Sequence, residues 1–238
     1  MKGFIYSGQI RIDNKKDVIG FGDENIYVKI IPKKTSNNMI IKNHYSKKTA
    51  GFATTYIYYG VFYENNLVGT LQYGFLMNPA SCKNLIQNST SEQCLELNRA
   101  WYQDNLPVNI KSMALSYSFK IIKNNFPNII FIQSFADERC GKLGITYQAA
   151  NFQYYGKHES LFWLLENKYY HNIHMTIKNQ NISTYTKESE YLQNNKEKAM
   201  PLIFNQYRYI YWIKPKYRNQ CLLKEQPYPK HYKNRQKL

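Results

Sequence analysis

Three pieces of sequence carry most of the information in this chain: ELNRAW at residues 96–101, SFAD at residues 134–137 and GKLGITYQAANF at residues 141–152. Each of them places polar side chains next to apolar runs. A strand that ends in a carboxylate and is followed by a glycine-marked helix start is where α/β proteins bind ligands. We therefore expect a functional site in the segment from Glu96 to Gly156.

The order of predicted elements around this segment indicates the fold class. Runs rich in β-branched residues predict strands, and apolar residues spaced three and four apart predict helices. The predicted strands are residues 26–31, 56–63, 67–75, 94–101, 129–135, 161–165 and 207–213, and helices are predicted from Thr35 or Ser36, from Ile110 to Lys123 and after Gly144. Turn residues at 64–66 predict an antiparallel hairpin. The order predicts an α+β domain with a mixed sheet flanked by helices.

Length and charge limit what the chain is. Its 238 residues fit one domain, predicted as residues 1–213, followed by a basic arm at residues 214–238. Lys and Arg outnumber Asp and Glu by 32 to 16, and the net charge of +16 favours a polyanionic partner, first of all double-stranded DNA. An AT-rich genome, which raises Lys content everywhere, is the alternative explanation. The candidate nucleic-acid contacts are Lys47, Lys48, Arg208, Lys214, Lys216, Arg218, Lys230 and Lys233.

The cysteines and the N-terminus bear on location. The four cysteines show neither the C-x-x-C pairs nor the Cys/His clusters of zinc sites, so we expect neither zinc nor a disulfide. The N-terminus lacks the apolar region of a signal peptide, and no window approaches the ~18 apolar residues of a membrane span. We therefore expect a cytoplasmic protein with no membrane partner.

The predicted order resembles the GNAT acyltransferase fold, in which the loop after the fourth core strand holds a pyrophosphate at a helix N-terminus. Here that loop is residues 137–144, and the resemblance implies cofactor contacts from Gly141, Lys142 and Gly144. Lys142 stands where the usual acyltransferase pattern has glycine, so the loop departs from the coenzyme A pattern. The donor, acetyl-CoA or another small-carbon donor, stays open.

A more specific resemblance is to the Mom family of Mu-like bacteriophages. It is carried by HYSKK at residues 44–48, by ELNRAW and Ser112, by SFAD and by the run from Gly141 to Phe152. The resemblance implies a GNAT-like protein that adds a carbamoylmethyl group to N6 of adenine in phage DNA, inside the bacterial host cell, and so blocks host restriction enzymes. It also implies bound iron. The residues that it marks as important are His44, Tyr45, Arg99, Ser112, Asp137 and Tyr147.

The chemistry of these residue types indicates their roles. Asp137 can accept a proton, ligate a metal, or merely cap the next helix. Tyr147 can donate a proton or supply an oxygen ligand. Arg99 lies in an apolar strand, where it must pair with an acid or face an anionic ligand. Ser112 can donate its hydroxyl to a ligand or lie on the polar face of its helix. We take these four residues as the candidate catalytic groups.

Two further expectations concern neighbours in space. The resemblance gives His44, Tyr45, Asp137 and Tyr147 as the metal ligands, and imidazole, phenolate and carboxylate groups suit iron. Glu96 is three residues from Arg99, so strict strand alternation predicts that their side chains lie on opposite faces of the sheet.

Two other functions are compatible with the residues. An acetyl-CoA-dependent N-acetyltransferase that acts on a protein or a small amine would bind coenzyme A. A non-enzymatic, basic DNA-binding accessory protein would leave the bases unchanged.

Overall fold

The computed structural model describes residues 1–10, 16–48, 54–141, 143–177 and 187–230. These residues form two compact units. The first contains Met1–Ser134, Ile145–Tyr155 and Tyr209–Tyr228, and the second contains Phe135–Gly144, Gly156–Arg208 and residues 229–230. No helix in the described ranges is long and apolar enough to cross a membrane.

The described strands and helices have the following bounds. The strands are β1 (Gly3–Ile10), β2 (Lys16–Gly22), β3 (Ile26–Ile30), β4 (Thr55–Tyr63), β5 (Asn66–Gly74), β6 (Cys94–Tyr102), β7 (Phe131–Asp137), β8 (Gln153–Leu165), β9 (Lys168–His171) and β10 (Met200–Trp212). The α-helices are α1 (Lys33–Asn43), α2 (Ile110–Asn125), α3 (Ile145–Ala149), α4 (Ile173–Thr176) and α5 (Lys187–Asn194).

The first unit is built on a mixed sheet. Strands β1 to β7 lie in chain order, and each is antiparallel to the one before it except β7, which is parallel to β6. The pairing of β6 with β7 covers Cys94 to Glu96 on one strand and Phe131 to Gln133 on the other. The α+β class and the mixed sheet flanked by helices, both predicted from sequence, are confirmed.

Helices α1 and α2 cover opposite faces of this sheet. Neighbouring residues of a strand point to opposite faces. On β5, the Gln72 amide donates to Ser36 of α1 at 2.9 Å, whereas the Tyr73 hydroxyl bonds to that of Ser118 of α2 at 2.6 Å. Residues paired across strands share a face, so the α1 face of β6 carries Arg99, the partner of Gln72.

A β-bulge interrupts β6. Gln72 pairs with Arg99 and Tyr73 pairs with Leu97, so Asn98 is an extra residue with no partner on β5. The Asn98 side chain is fixed by Thr55, whose hydroxyl donates to its Oδ1 at 3.0 Å. A bulge of this kind shifts the alternation of side chains by one residue. It therefore places Glu96 and Arg99, which are three residues apart, on the same face of the sheet.

The strongly periodic elements agree with the sequence analysis. The predicted hairpin is β4 and β5, and the helix predicted from Ile110 to Lys123 is α2. The strand predicted at residues 129–135 is shifted to Phe131–Asp137, so Asp137 is its last residue. Strands β1, β2 and β9 were not predicted, because glycines interrupt β1 and β2, and β9 is only four residues long.

One expectation about the cysteines is corrected. The structure joins Cys82 to Cys94, whose Cα atoms are 6.4 Å apart, although the sequence indicated no disulfide. The 3-10 helix Pro79–Asn84 turns the chain back towards the start of β6, so two residues that are far apart in the linear pattern meet in the core. Cys140 and Cys221 form no disulfide among the described residues.

The second unit has its own apolar cluster. Strands β8 and β9 pair as an antiparallel hairpin, and α5 packs Leu192 against that hairpin. The buried members of the cluster are Leu165, Tyr170, Leu192 and Ala199. The part of β10 that belongs to this unit contacts the same hairpin through Phe204 and Phe162, whose ring centroids are 5.8 Å apart.

The first part of the predicted basic arm packs within the first unit. After β10 the chain forms a 3-10 helix, Pro215–Gln220. The Gln226 N–H then donates to the Tyr154 carbonyl at 2.8 Å, and the Tyr228 hydroxyl donates to the Phe152 carbonyl at 2.6 Å. Residues 231–238 lie outside the described residues, and the domain boundary at residue 213 stays a prediction.

Candidate functional site

The loop after α1 is organised around His44. This residue ends the helix, is 7% exposed, and carries Tyr45 next to it with the two ring centroids 4.3 Å apart. The Nδ1 atom of His44 lies 2.8 Å from the Ser46 hydroxyl, which donates to the Lys48 carbonyl at 3.1 Å. The loop thus holds one ring nitrogen of His44 in a fixed direction.

The hydrogen bonds assign the His44 tautomer. Because the Ser46 hydroxyl donates to Lys48, it accepts from Nδ1–H of His44, which leaves a lone pair on Nε2. The Ser46 backbone N–H also approaches Nδ1, at 3.2 Å, and favours the opposite tautomer. We assign Nδ1–H because the hydroxyl contact is shorter and belongs to a continuous chain of donors. His44 then presents a proton-accepting nitrogen.

Arg99 ties this loop to β6. Its Nε donates to the Lys48 carbonyl at 3.0 Å, and one terminal nitrogen donates to the Asn98 carbonyl at 2.6 Å. The Lys48 carbonyl therefore accepts from both Arg99 and Ser46. The structure brings Arg99 together with His44 and Tyr45. All three residues were singled out from sequence, and Arg99 lies in a segment far from the other two.

Glu96 is a neighbour of Arg99, contrary to the prediction from strict alternation. The bulge at Asn98 places both side chains on the α1 face. Burial lowers the pKa of the Arg99 guanidinium, and the nearby Tyr45 and Glu96 partly oppose this effect. The Glu96 carboxylate accepts from the Met77 N–H at 3.2 Å and from the Gln133 amide at 3.1 Å, and burial raises the pKa of this carboxyl group. Glu96 is thus a site residue whose proximity to Arg99 the sequence alone did not reveal.

The environment of His44 keeps its imidazole neutral. Burial, followed by the positive charges of Arg99 and Lys47, lowers the pKa of His44 from 6.5 to about 4. Between these two values the unfolded chain binds a proton that the folded chain does not. The contribution of His44 to stability is therefore complete above pH 6.5 and is lost as the pH falls towards 4.

We expect this difference to appear as a pH-dependent stability. Its upper limit is about 3 kcal/mol in the free energy of unfolding, from a shift of about 2.5 pKa units. Denaturant unfolding between pH 7 and pH 4 should show a shallower loss of stability in His44→Asn than in the unmodified chain. His158→Asn is the control, because His158 also has a lowered pKa but is less buried. Equal pH slopes for His44→Asn and the unmodified chain would contradict the assignment.

Tyr147 lies on the α2 face, among other phenols. It is on the first turn of α3, with its ring 5.4 Å from Phe152 and 5.5 Å from Tyr209 between centroids. Its hydroxyl also raises the pKa values of Tyr73 and Tyr102, after burial as the main cause. Tyr147 is half-buried, so its phenol combines an apolar surround with access to solvent.

Ser112 is held locally at the start of α2. Its hydroxyl donates to the Asn109 carbonyl at 3.0 Å, and Asn109 has a left-handed backbone at φ 77°. The bond closes the first turn of the helix. Ser112 is buried, so it does not lie on an exposed polar face of its helix, which was the alternative considered from sequence, and its catalytic role stays a prediction.

Asp137 belongs to the second unit and is paired there with Arg139. One carboxylate oxygen accepts from the Arg139 backbone N–H at 3.0 Å, and both oxygens accept from its guanidinium. That guanidinium also stacks on Phe162, 3.8 Å from the ring centroid. The carboxylate thus caps the 3-10 helix Glu138–Cys140, one of the roles considered from sequence.

Two substitutions separate catalysis by Asp137 from its capping role. If Asp137 acts in catalysis, Asp137→Asn should lower the activity of the protein by ~10² or more, whereas Arg139→Gln, which removes the same ion pair, should lower it much less. Circular dichroism checks that both variants fold. Equal losses in the two variants would assign Asp137 to the ion pair alone.

Comparison with known proteins places this constellation in a family. The model of the Mom protein family matches residues 25–230, which include the His44 loop, β6, Asp137 and Tyr147. The chain belongs to the Mom protein family. It is 38% identical over 222 residues to the methylcarbamoylase mom of Escherichia phage Mu, covering 92% of this chain and 90% of that protein.

Solved structures that resemble this Mom-family chain are acetyltransferases. One is the ribosomal-protein-S5-alanine acetyltransferase from Vibrio fischeri, with a TM-score of 0.48, 11% identity, and coverage of 82% of this chain and 97% of that one. Another is an N-acetyltransferase from Staphylococcus aureus, with a TM-score of 0.43, 11% identity, and coverage of 79% and 97%. Similarities at this level carry no argument about substrate.

The glycines predicted to contact a cofactor shape the loop before α3. Gly141 and Gly144 have φ values of +64° and +75°, a left-handed backbone that glycine adopts without strain. Lys142 lies outside the described residues. Helix α3 is only five residues long, and no anion site is assigned to its N-terminus. Coenzyme A binding stays a prediction of the resemblance.

Three of the predicted iron ligands, His44, Tyr45 and Tyr147, do not all meet in the described part of the first unit. His44 and Tyr45 lie on the α1 face beside the positive charge of Arg99, whereas Tyr147 lies on the α2 face. Among the described residues, no three His, Cys, Asp or Glu side chains are grouped to hold a metal. No step of the reaction is therefore assigned to iron. Elemental analysis of the purified protein tests the prediction that it binds iron.

The predicted nucleic-acid contacts differ in their surroundings. Arg218 forms a two-pronged ion pair with Glu225, at 2.6 Å for the shorter bond, and Arg208 lies over the ring of Phe135. Lys47, Lys48, Lys216 and Lys230 are exposed, Lys214 is half-buried, and Lys233 lies outside the described residues. The Mom-family chain therefore presents its predicted basic contacts on several separate segments, of which one adjoins His44 and Arg99.

Proposed function

We propose that this chain is an enzyme that modifies DNA by transferring a carbamoylmethyl group to N6 of adenine. The observation that carries the proposal is the junction at Arg99, which puts a cation, a neutral imidazole and an exposed phenol together in a member of the Mom family. The similarity to the phage Mu methylcarbamoylase supports the transferred group. In the cytoplasm of an infected bacterium, the altered base would protect phage DNA from restriction enzymes.

The reaction requires removal of a proton from N6. A bond forms between N6 and the methylene carbon of the donor, the bond from that carbon to the leaving group breaks, and the leaving group keeps the electron pair. The N6 lone pair is delocalised into the ring, so N6 is a weak nucleophile. Once N6 has begun to bond to carbon it becomes much more acidic. It can then give its proton even to a weak base.

His44 is suited to take this proton. Its pKa of about 4 keeps the ring neutral at pH 7, and the chain through Ser46 and Lys48 leaves the lone pair on Nε2. A base of low pKa accepts the proton late in the reaction, after the N6–carbon bond has formed in part. The nearby guanidinium of Arg99 then disfavours a long-lived imidazolium, which helps the base return to its neutral form.

Arg99 is suited to bind the donor. Its Nε and one terminal nitrogen are used by backbone carbonyls, which fixes the plane of the guanidinium. The other terminal nitrogen can donate to a carboxylate, a phosphate or the developing charge of a leaving group. A guanidinium held in a plane loses little freedom when it binds such a group, so it orients the donor well.

Tyr45 is suited to hold the target base. N6 of adenine is paired in the duplex, so an enzyme that alters it must extrude the base. Tyr45 is 59% exposed and lies beside His44, where its ring can stack on an extruded adenine. Stacking of a base on an aromatic side chain contributes ~1–3 kcal/mol.

Mass spectrometry of nucleosides tests the function. DNA from bacteria that express the chain should contain deoxyadenosine whose mass is increased by one carbamoylmethyl group, and this DNA should resist restriction at sites that contain adenine. DNA from bacteria that express His44→Asn is the matched control. Unmodified nucleosides alongside soluble protein would overturn the proposal. An acetylated protein or amine, together with coenzyme A binding, would point to the acetyltransferase alternative.

A further inference from the structure

The segment from α1 to its following loop is strongly basic. Between Lys33 and Lys48 the chain contains no Asp or Glu. The five lysines in this segment are all exposed, and we call them the α1 lysine surface: Lys33, Lys34, Lys42, Lys47 and Lys48. By contrast, residues 135–208 carry nearly as many acidic as basic side chains. The segment from Lys33 to Lys48 therefore carries five positive charges with no acid of its own to offset them.

Helix α1 is fixed to the strand next to Arg99. The Ser36 hydroxyl lies 2.6 Å from that of Thr70, and the Gln72 amide donates to both Ser36 and Asn37. Ser36, Thr70 and Gln72 are buried, as is Ile40, and Asn37 is half-buried. Gln72 is also the strand partner of Arg99. The α1 lysine surface is thus held in a defined position relative to Arg99 and His44.

The first turn of α1 has the wrong charge for a helix N-terminus. It contains Lys33 and Lys34, no acidic residue and no side-chain cap. The positive end of a helix favours acids and disfavours lysines. Local rules of this kind are broken mainly where a residue serves another purpose. The two lysines therefore place positive charge where the helix itself gains no stability from it.

The α1 lysine surface is long enough to contact several phosphates of a DNA backbone. Lys34 and Lys42 lie on the exposed side of α1, eight residues apart, which is about 12 Å along the helix axis. A DNA duplex carries one phosphate charge per ~1.7 Å of its axis, so several phosphates fall within this length. Lys47 lies at the far end, where its ammonium donates to the Lys42 carbonyl at 2.6 Å.

We propose that the α1 lysine surface is where the phosphate backbone of DNA docks beside the target base. This inference rests on the proposed function and adds the surface that brings the DNA to the site. Phosphates held along α1 place the adjacent nucleotide at the loop that carries His44 and Tyr45. Contacts of this kind position the DNA and do not read its sequence.

The test compares two charge reversals of equal size. Lys33→Glu with Lys34→Glu alters the surface at the end where acids suit the helix. Lys120→Glu with Lys123→Glu alters two exposed lysines near the C-terminus of α2, where acids do not suit it. The first variant should therefore be at least as stable as the second. Weaker DNA binding by the first variant cannot then be ascribed to unfolding.

Binding to duplex DNA of mixed sequence is measured by fluorescence anisotropy at several salt concentrations. We expect the Lys33/Lys34 variant to bind about tenfold more weakly or worse, with a log Kd against log salt slope that is shallower by about 2. The Lys120/Lys123 variant should keep the affinity and slope of the unmodified chain. Adduct formation by the Lys33/Lys34 variant should recover when DNA is saturating.

The outcomes distinguish this inference from the proposed function. If the Lys33/Lys34 variant binds DNA as the Lys120/Lys123 variant does, the docking surface is overturned, whatever the state of the bases. If the unmodified chain binds DNA through α1 but leaves deoxyadenosine unchanged, the proposed function is overturned and the docking surface stands.

Discussion

Replacement of Arg99 by lysine is expected to lower the rate of DNA modification by about a hundredfold or more, with little change in DNA affinity. The guanidinium donates at once to the carbonyls of Lys48 and Asn98, and its remaining nitrogen is directed by those two bonds. A lysine ammonium is a point charge on a flexible stem and cannot reproduce this planar arrangement. Groups displaced by about 1 Å can cost ~10² in rate.

The measurement is the yield of modified deoxyadenosine per unit of time at saturating DNA. Arg218→Lys is the matched control, because the Arg218 guanidinium is also held by more than one hydrogen bond, here to Glu225, and lies in the first unit at the exposed 3-10 helix after β10. It should modify DNA at close to the unmodified rate. An Arg99→Lys enzyme of normal rate would show that charge alone matters at this position, and that the bonds from Arg99 to the loop do not.

Removal of the Tyr147 hydroxyl is expected to lower the rate of DNA modification by a similar factor. The phenol is half-buried beside the rings of Phe152 and Tyr209, on the face of the sheet opposite His44, so a proton-donor role for it rests on the resemblance to the Mom family. Loss of a positioned acid or base costs ~10²–10⁴ in rate. Tyr147→Phe should therefore lower the rate of modification by about a hundredfold or more while the protein keeps its fold.

Tyr211→Phe provides the comparison. Tyr211 is half-buried on β10 and stacks on Phe119 with ring centroids 4.1 Å apart, so it shares the aromatic surroundings of Tyr147. Its loss of a hydroxyl should leave the rate nearly unchanged. If Tyr147→Phe behaves as Tyr211→Phe does, Tyr147 is a packing residue. Thermal unfolding of both variants separates a loss of stability from a loss of chemistry.

The sequence predicted the elements in which apolar residues follow a regular spacing or turn residues mark the ends. Helix α2 and the β4–β5 hairpin have clear periods and turn residues, so they could be located without the structure. The sequence also named His44, Tyr45 and Arg99, although only the resemblance linked them. Their meeting depends on the Lys48 carbonyl, a backbone atom that no residue pattern displays.

Other parts of the site lay beyond sequence patterns for physical reasons. The relation of Glu96 to Arg99 depends on the bulge at Asn98, and a bulge is set by pairing with another strand. The role of Ser46 depends on the path of its loop. The pairing of Cys82 with Cys94 depends on how a 3-10 helix turns. Each is a property of the folded chain rather than of a local period.

The unpaired residue Asn98 decides whether the two charged groups of β6 meet. In a regular strand, two side chains that are three residues apart lie on opposite faces of the sheet. A chain with every side-chain identity of this site, but with Asn98 paired to β5 in a regular ladder, would turn either the Glu96 carboxylate or the Arg99 guanidinium away. The site therefore depends on a backbone irregularity as well as on the identity of its side chains.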